Sequence, residues 1–163
     1  MERLFILDAN FLIDILKIES DFLSVLCGAI SIIVPRPIFE EVDSLTQSQA
    51  EELGIRIIDI DLEIMIQAIG IADNSGLSSQ DAVALLIAKA NDYACVTNDK
   101  LLYNRCRAEN IHALWGLELL LELVRNSRIS KEYASEIALK LQEINIKMTA
   151  QIMCEFEKQL NNI

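Results

Sequence analysis

The sequence has one histidine and one tryptophan, 5 glycines and 2 prolines in 163 residues, and only 6% of it is aromatic. So little glycine and proline leaves no room for a long flexible linker. With 52% hydrophobic and 24% charged residues, a disordered tail, a collagen and a coiled rod are excluded. No apolar run approaches the ~18 residues that a membrane helix needs, and the best, at 29–34, is far too short, so no membrane span is expected. The N-terminus, Met1-Glu2-Arg3-Leu4, has no basic region ahead of an apolar run, so no signal peptide is expected either. Cys27, Cys95, Cys106 and Cys154 form no C-x-x-C pair. With a single histidine beside them they make no zinc site, and reduced, buried thiols in a cytoplasmic protein are expected.

Nucleotide and hydrolase motifs are also missing. There is no G-x-x-x-x-G-K-[ST] phosphate loop, no G-x-G-x-x-G after a strand and no G-x-S-x-G elbow. A Ser-His-Asp triad would have to use His112, which falls in a predicted strand; a core or surface imidazole is the plainer reading. Net charge is −11, and it is uneven: residues 1–124 carry 8 Lys and Arg against 20 Asp and Glu, and residues 125–163 carry 6 against 5. A surface that coats DNA through clustered cations is thereby excluded. A nucleic-acid enzyme is not, because acids gathered around a bound cation present a positive centre to phosphate.

What is present is an alternation of short apolar runs and helical patterns. Strands are predicted over 4–7, 31–34, 55–60, 93–97 and 111–114. Helices are predicted over 10–17 with Asn10 as cap, over 62–72, over 80–91 with Ser78 as cap, and over 100–109. Pro37 opens a further helix that turns Ile38, Phe39, Val42 and Leu45 inward and Glu40, Glu41 and Asp43 elsewhere. From Gly116 the pattern is helical to the end, with breaks near 127–130 and at Asn145. Continuous apolar strands that alternate with helices predict a parallel sheet covered on both faces. One compact domain of this length buries about 70% of its unfolded surface.

In such a sheet, ligands bind beyond the carboxyl ends of the strands. Asp8 follows the first strand directly, Asp99 follows the fourth closely, Asp81 lies in the first turn of the helix before it, and Glu41 lies one turn into the helix after the second. Each has a plainer reading too. Asp8 ends a strand, Ser78-x-x-Asp81 has the shape of a capping box, Asp99 suits an N-cap, and Glu41 suits a solvated helix face. Together they favour one acidic site. Two like charges ~4 Å apart repel by about 4 kcal/mol at an effective dielectric near 20, so a fold keeps such a cluster by protonation or by binding a cation. All-oxygen ligands suit Mg²⁺ or Mn²⁺, which can acidify a water and stabilise charge on a phosphate.

The motifs in order are Phe5-Ile6-Leu7-Asp8-Ala9-Asn10, Val34-Pro35 followed by Glu41-Val42, Gly76-Leu77-Ser78-Ser79-Gln80-Asp81-Ala82, and Val96-Thr97-Asn98-Asp99. Through them the chain resembles the PIN-domain nucleases over residues 3–124, and among these the VapC-like toxins of prokaryotic toxin–antitoxin pairs. The resemblance implies a three-layer α/β/α domain at 1–124 with a five-stranded parallel sheet. Residues 125–163 are similar to the helical extension of some prokaryotic PIN proteins and are expected to pack on that domain, with Ile137, Leu141 and Ile144 at packing positions. It further implies a metal-dependent endoribonuclease for single-stranded RNA, with Asp8, Asp81 and Asp99 as main ligands of Mg²⁺ or Mn²⁺ and Glu41 completing the site. Asn10 and Thr97 would orient the acids. Lys100, nearest the acids on the helix that also carries Arg105 and Arg107, is the candidate phosphate contact. A homodimer and an antitoxin over the acidic cleft are the expected partners. The alternative is a catalytically weak or inactive PIN-like module that binds protein or RNA; a phosphatase or a DNA nuclease on the same site is a third reading.

Overall fold

The computed structural model describes residues 3–163; Met1 and Glu2, where the reading of the N-terminus begins, lie outside the described residues. The chain runs β1 (Leu4–Leu7), α1 (Ala9–Lys17), α2 (Phe22–Ala29), β2 (Ser31–Pro35), α3 (Arg36–Phe39), α4 (Gln47–Glu52), β3 (Arg56–Ile58) and α5 (Leu62–Ser75). It continues α6 (Ser79–Asn91), β4 (Ala94–Val96), α7 (Lys100–Ala108), β5 (Ala113–Leu114), α8 (Gly116–Arg125), α9 (Lys131–Ile144) and α10 (Ala150–Asn161). Five strands form one sheet in the order β3-β2-β1-β4-β5, and every pairing is parallel. The chain builds outward from β1 to β3 on one side, then crosses back to add β4 and β5 on the other. The order therefore reverses between β1 and β4, and their carboxyl ends diverge there into separate helices.

Both faces of the sheet are covered, as the apolar strands require. Helices α3, α6 and α7 lie against strands β2, β4 and β5, with α5 on α6. A second layer is formed by α1, α2 and α8. The result is a three-layer α/β/α fold. Ile6, Leu7, Ile32, Ile33, Val34, Cys95 and Val96 are buried in the middle layer. The last two helices pack on the second layer: α9 lies on α1 and α8, and α10 lies on α8 and α9. Polar ties add to that contact. Lys140 Nζ donates to the Glu19 carbonyl at 2.8 Å, Tyr133 Oη to Asp21 Oδ1 at 2.6 Å, and Asn145 Nδ2 to Asp14 Oδ2 at 3.1 Å. Ile137 and Leu141 are fully buried, whereas Ile144 at the end of α9 is 39% exposed.

Several local expectations change. The helix opened by Pro37 stops at Phe39, and Glu41 and Val42 close tight turns back to the Ile38 and Phe39 carbonyls at 3.1 and 2.9 Å. Val42 and Leu45 are still buried, but from a turn rather than from a helix face, so Glu41 sits on that turn. Two helices were not expected. In α2, Phe22, Leu23, Leu26 and Ala29 do follow helical spacing. In α4, Ala50 is the one buried residue, and the helix is set by a capping box between Thr46 and Gln49. The outer strands are shorter than expected, and β5 is two residues long, with His112 just ahead of it. His112 is half-buried with Nε2 3.6 Å from Glu122 Oε1, a structural position. Of the cysteines, Cys95 and Cys106 are buried, Cys27 is partly so, and Cys154 is exposed, against the expectation that all four are buried.

Gly116, at the start of α8, is packed tightly against Phe11 of α1 and Asn98 beyond β4. A Cβ there would stand 2.5 Å from Phe11 Cε2 and 3.2 Å from Asn98 Oδ1. Its bare amide instead donates to Asn98 Oδ1 at 3.0 Å, tying α8 to the end of β4.

Leu141→Ala removes a fully buried side chain from the contact between α9 and the second layer. The expected loss is about 2–5 kcal/mol, at about 2–4 °C of melting temperature per kcal/mol. Calorimetry should show one transition moved down as a whole; an unmoved main transition with a separate early one would mean that α9 and α10 melt independently.

Candidate active site at the β1/β4 edge

Asp8 is the first residue beyond β1. Its amide extends the sheet by donating to the Val96 carbonyl at 2.9 Å, and its backbone then turns into α1 as the N-cap residue. The side chain is only 5% exposed. A carboxylate so placed needs partners. Thr97, fully buried at the end of β4, donates its hydroxyl to Asp8 Oδ2 at 2.8 Å. The same hydroxyl oxygen accepts the Asp99 amide at 2.9 Å. The Asn10 N–H also faces the Asp8 carboxylate and favours its charge, without closing a full cap bond. Asn10 thus acts through its backbone, not as the helix cap, and its residue is exposed.

Asp99 and Asp81 are both helix-start residues, and in both cases the cap orients the acid. Asp99 is the N-cap of α7, with Oδ1 accepting the Leu102 amide at 2.9 Å. Asp81 is the third residue of α6. Its amide donates to Ser78 Oγ at 3.0 Å, and its Oδ2 accepts the Ser78 amide at 3.1 Å. The plainer reading and the functional one are therefore compatible: one carboxylate oxygen anchors a helix, and Asp81 Oδ1 and Asp99 Oδ2 stand outside those bonds.

Electrostatics ties the acids into one group. Burial above all pushes the Asp8 carboxyl up to about 6 from an ordinary value of 3.8. The Thr97 bond opposes that rise, while the charges of Asp81 and, more weakly, Asp99 add to it. Glu41 is exposed, and its carboxyl is raised by partial desolvation and then by Asp81. Beneath the site, the Cys95 thiol is held well above its usual range by its bond to Cys106 and by burial, with smaller contributions from Asp8 and Asp81. The structure thus brings Asp8, Thr97 and Asp99 together by hydrogen bonds and couples Asp81 to them through its field. Glu41 is linked through Asp81 alone. Lys100 lines a neighbouring groove with Asn98 and Trp115. Arg105 is taken up by Glu109, at 2.6 Å.

Among the described residues, no three His, Cys, Asp or Glu side chains form a ready-made metal cage. The donor chemistry nevertheless fits a hard divalent cation. The candidate ligands are all carboxylates, Asp8 is raised by burial and, to a smaller extent, by the charges of Asp81 and Asp99, and Mg²⁺ commonly binds through one or two carboxylates while keeping several waters. Asn98 and Trp115, on the same edge, escape any reading based on acid spacing. The signal for Trp115 is its place at the end of a predicted strand, as the sole tryptophan.

The folded chain holds the Asp8 proton up to about pH 6, whereas the unfolded chain releases it near 3.8. Between those values the unfolded state binds fewer protons, so stability falls as pH rises through this window. At pH 7 the charged Asp8 costs about 3 kcal/mol. Asp8→Asn keeps an acceptor for Thr97 and should flatten the stability profile between pH 4 and 6 and raise the melting temperature at pH 7. Mn²⁺ at pH 7 should raise the wild-type melting temperature and leave that of Asp8→Asn nearly unchanged. Denaturation followed across pH, with and without Mn²⁺, checks both.

No known family model matches the chain, and no curated protein matches it.

Proposed function

We propose that the chain is a metal-dependent endoribonuclease of the PIN-domain kind, hydrolysing phosphodiester bonds of single-stranded RNA. The observation that supports this most is the buried Asp8, raised to about 6 and joined through Thr97 to Asp99 at the point where the strand order reverses. A fold keeps such an acid, at a cost, where a ligand or a proton transfer needs it. Asp8, Asp81 and Asp99 would hold Mg²⁺ or Mn²⁺, with Glu41 at the margin. The ion, when bound, would supply positive charge toward a phosphate and acidify a water. Thr97 positions two of the acids at once. Bonds donated by the Ser78 and Leu102 amides hold the Asp81 and Asp99 carboxylates in fixed orientations, so little is reorganised when charge develops on a substrate.

A toxin of a toxin–antitoxin pair is the biological role proposed, with an antitoxin covering the acidic edge. Homodimerisation belongs to the same reading and is supported by α5, where Leu62, Ile66 and Ile69 recur at helical spacing and are 74, 61 and 48% exposed. The net charge of −11 favours a second reading, a PIN-like binding module of weak or no catalysis, because RNA is repelled by such a surface. Among the described residues no helix is long and apolar enough to cross a membrane.

Purified protein with Mn²⁺ should cleave mixed cellular RNA, and EDTA or Asp99→Asn should remove the cleavage. Thr97→Val should lower the rate by about 10–100-fold, the usual effect of losing a group that orients a metal ligand. Cleavage that survives EDTA and Asp99→Asn undiminished would assign the activity elsewhere. In light scattering at micromolar concentration, the wild type should be a dimer and Ile66→Glu a monomer; a monomeric wild type would remove the dimer from the reading.

A further inference from the structure

Beside the acids lies a second concavity of about 450 Å³, lined mainly by apolar atoms and by residues including Asn98, Lys100, Trp115, Leu121, Met148 and Phe156. Its walls come from the start of α7, from α8 and from α10, so the helices after residue 124 complete it. We propose that this groove is a nucleobase subsite, which takes an unpaired base of single-stranded RNA beside the phosphate at the Asp8–Asp99 edge; it rests on the nuclease reading above.

Three features favour a base. The groove adjoins the acidic edge, because Asn98 and Lys100, both on its wall, flank Asp99 in the chain. Its aromatic wall is rigid: Trp115 stacks on Tyr103 with ring centroids 4.1 Å apart and planes 17° from parallel. A held indole offers a flat surface on which any base can stack. Finally, Asn98 Oδ1 is taken by the Gly116 amide, while Asn98 Nδ2 is enclosed and has no partner among the described residues. A base carbonyl or ring nitrogen in the subsite would supply the acceptor that Asn98 Nδ2 lacks. The charged residues lining the groove, Lys100, Lys147, Glu118 and Glu155, cancel, so the groove is locally neutral on a chain of net charge −11. Anionic RNA is therefore opposed less here than over the rest of the surface.

Trp115 is the sole tryptophan, so its emission reports on this groove. In EDTA, with no cleavage possible through a divalent ion, a short mixed-sequence oligoribonucleotide should quench Trp115 saturably, and ribose 5-phosphate should not. Ile152→Glu, at a wall position that is 45% exposed, should weaken the quenching about tenfold or more. Lys147→Ala should leave the quenching in place and reduce its salt dependence. Unchanged emission up to millimolar oligonucleotide, or equal quenching of Ile152→Glu, overturns the subsite and gives the groove to an apolar partner segment. Cleavage of RNA without quenching overturns the subsite alone. Quenching without cleavage upholds the subsite and overturns the nuclease.

Discussion

The Thr97 hydroxyl is bonded on both sides, donating to the buried Asp8 carboxylate and accepting the Asp99 amide. It is one atom between the ends of two adjacent parallel strands, at the position where the chain reverses its order of addition to the sheet. Asp8 stays inside the protein because Thr97 and the first turn of α1 offset part of its desolvation. Asp99 starts α7 in its observed orientation because its amide is held there. Without this bridge, β1 and β4 would still pair, and the Asp8 amide would still reach Val96, but the Asp8 carboxylate would have no side-chain partner across the strand ends.

Around that bridge the fold combines stability devices with chemical ones. The capping box at Ser78 and Asp81 is an ordinary helix start, and it also aims a carboxylate toward the field that acts on Asp8 and Glu41. The bond from Gly116 to Asn98 joins α8 to β4 and at the same time occupies the amide oxygen beside the apolar groove. Such double use follows from topology. In a parallel sheet every strand leads to a helix start on the same edge, so N-caps and ligand-facing acids compete for the same few positions.

The parts that were legible share a physical cause. Strands buried on both faces leave uninterrupted apolar runs such as Leu4-Phe5-Ile6-Leu7, and the polar residues that follow such a run mark the edge, which located Asp8 directly after the first strand and Asp99 after the expected end of the fourth, with Asn98 between. Ser78 and Asp81 announced their cap through spacing alone. Glu41 was legible as an acid on that edge but not as part of a turn, because Ile38, Phe39, Val42 and Leu45 keep a helical period after the helix has ended at Phe39. Helix α4 left little trace, since one buried alanine makes no pattern.

The sequence by itself determined the alternation of strands and helices, the parallel sheet with two covered faces, and which acids follow its strands, because those features depend on local periodicity and on the polar residues that follow each run. Only the tertiary structure decided that Thr97 joins Asp8 to Asp99, that burial raises Asp8, and that Trp115 and Asn98 meet Met148 and Phe156 around one groove. These depend on strand order and on where the last helices pack, and both are set by contacts between residues tens of positions apart, which no local pattern encodes.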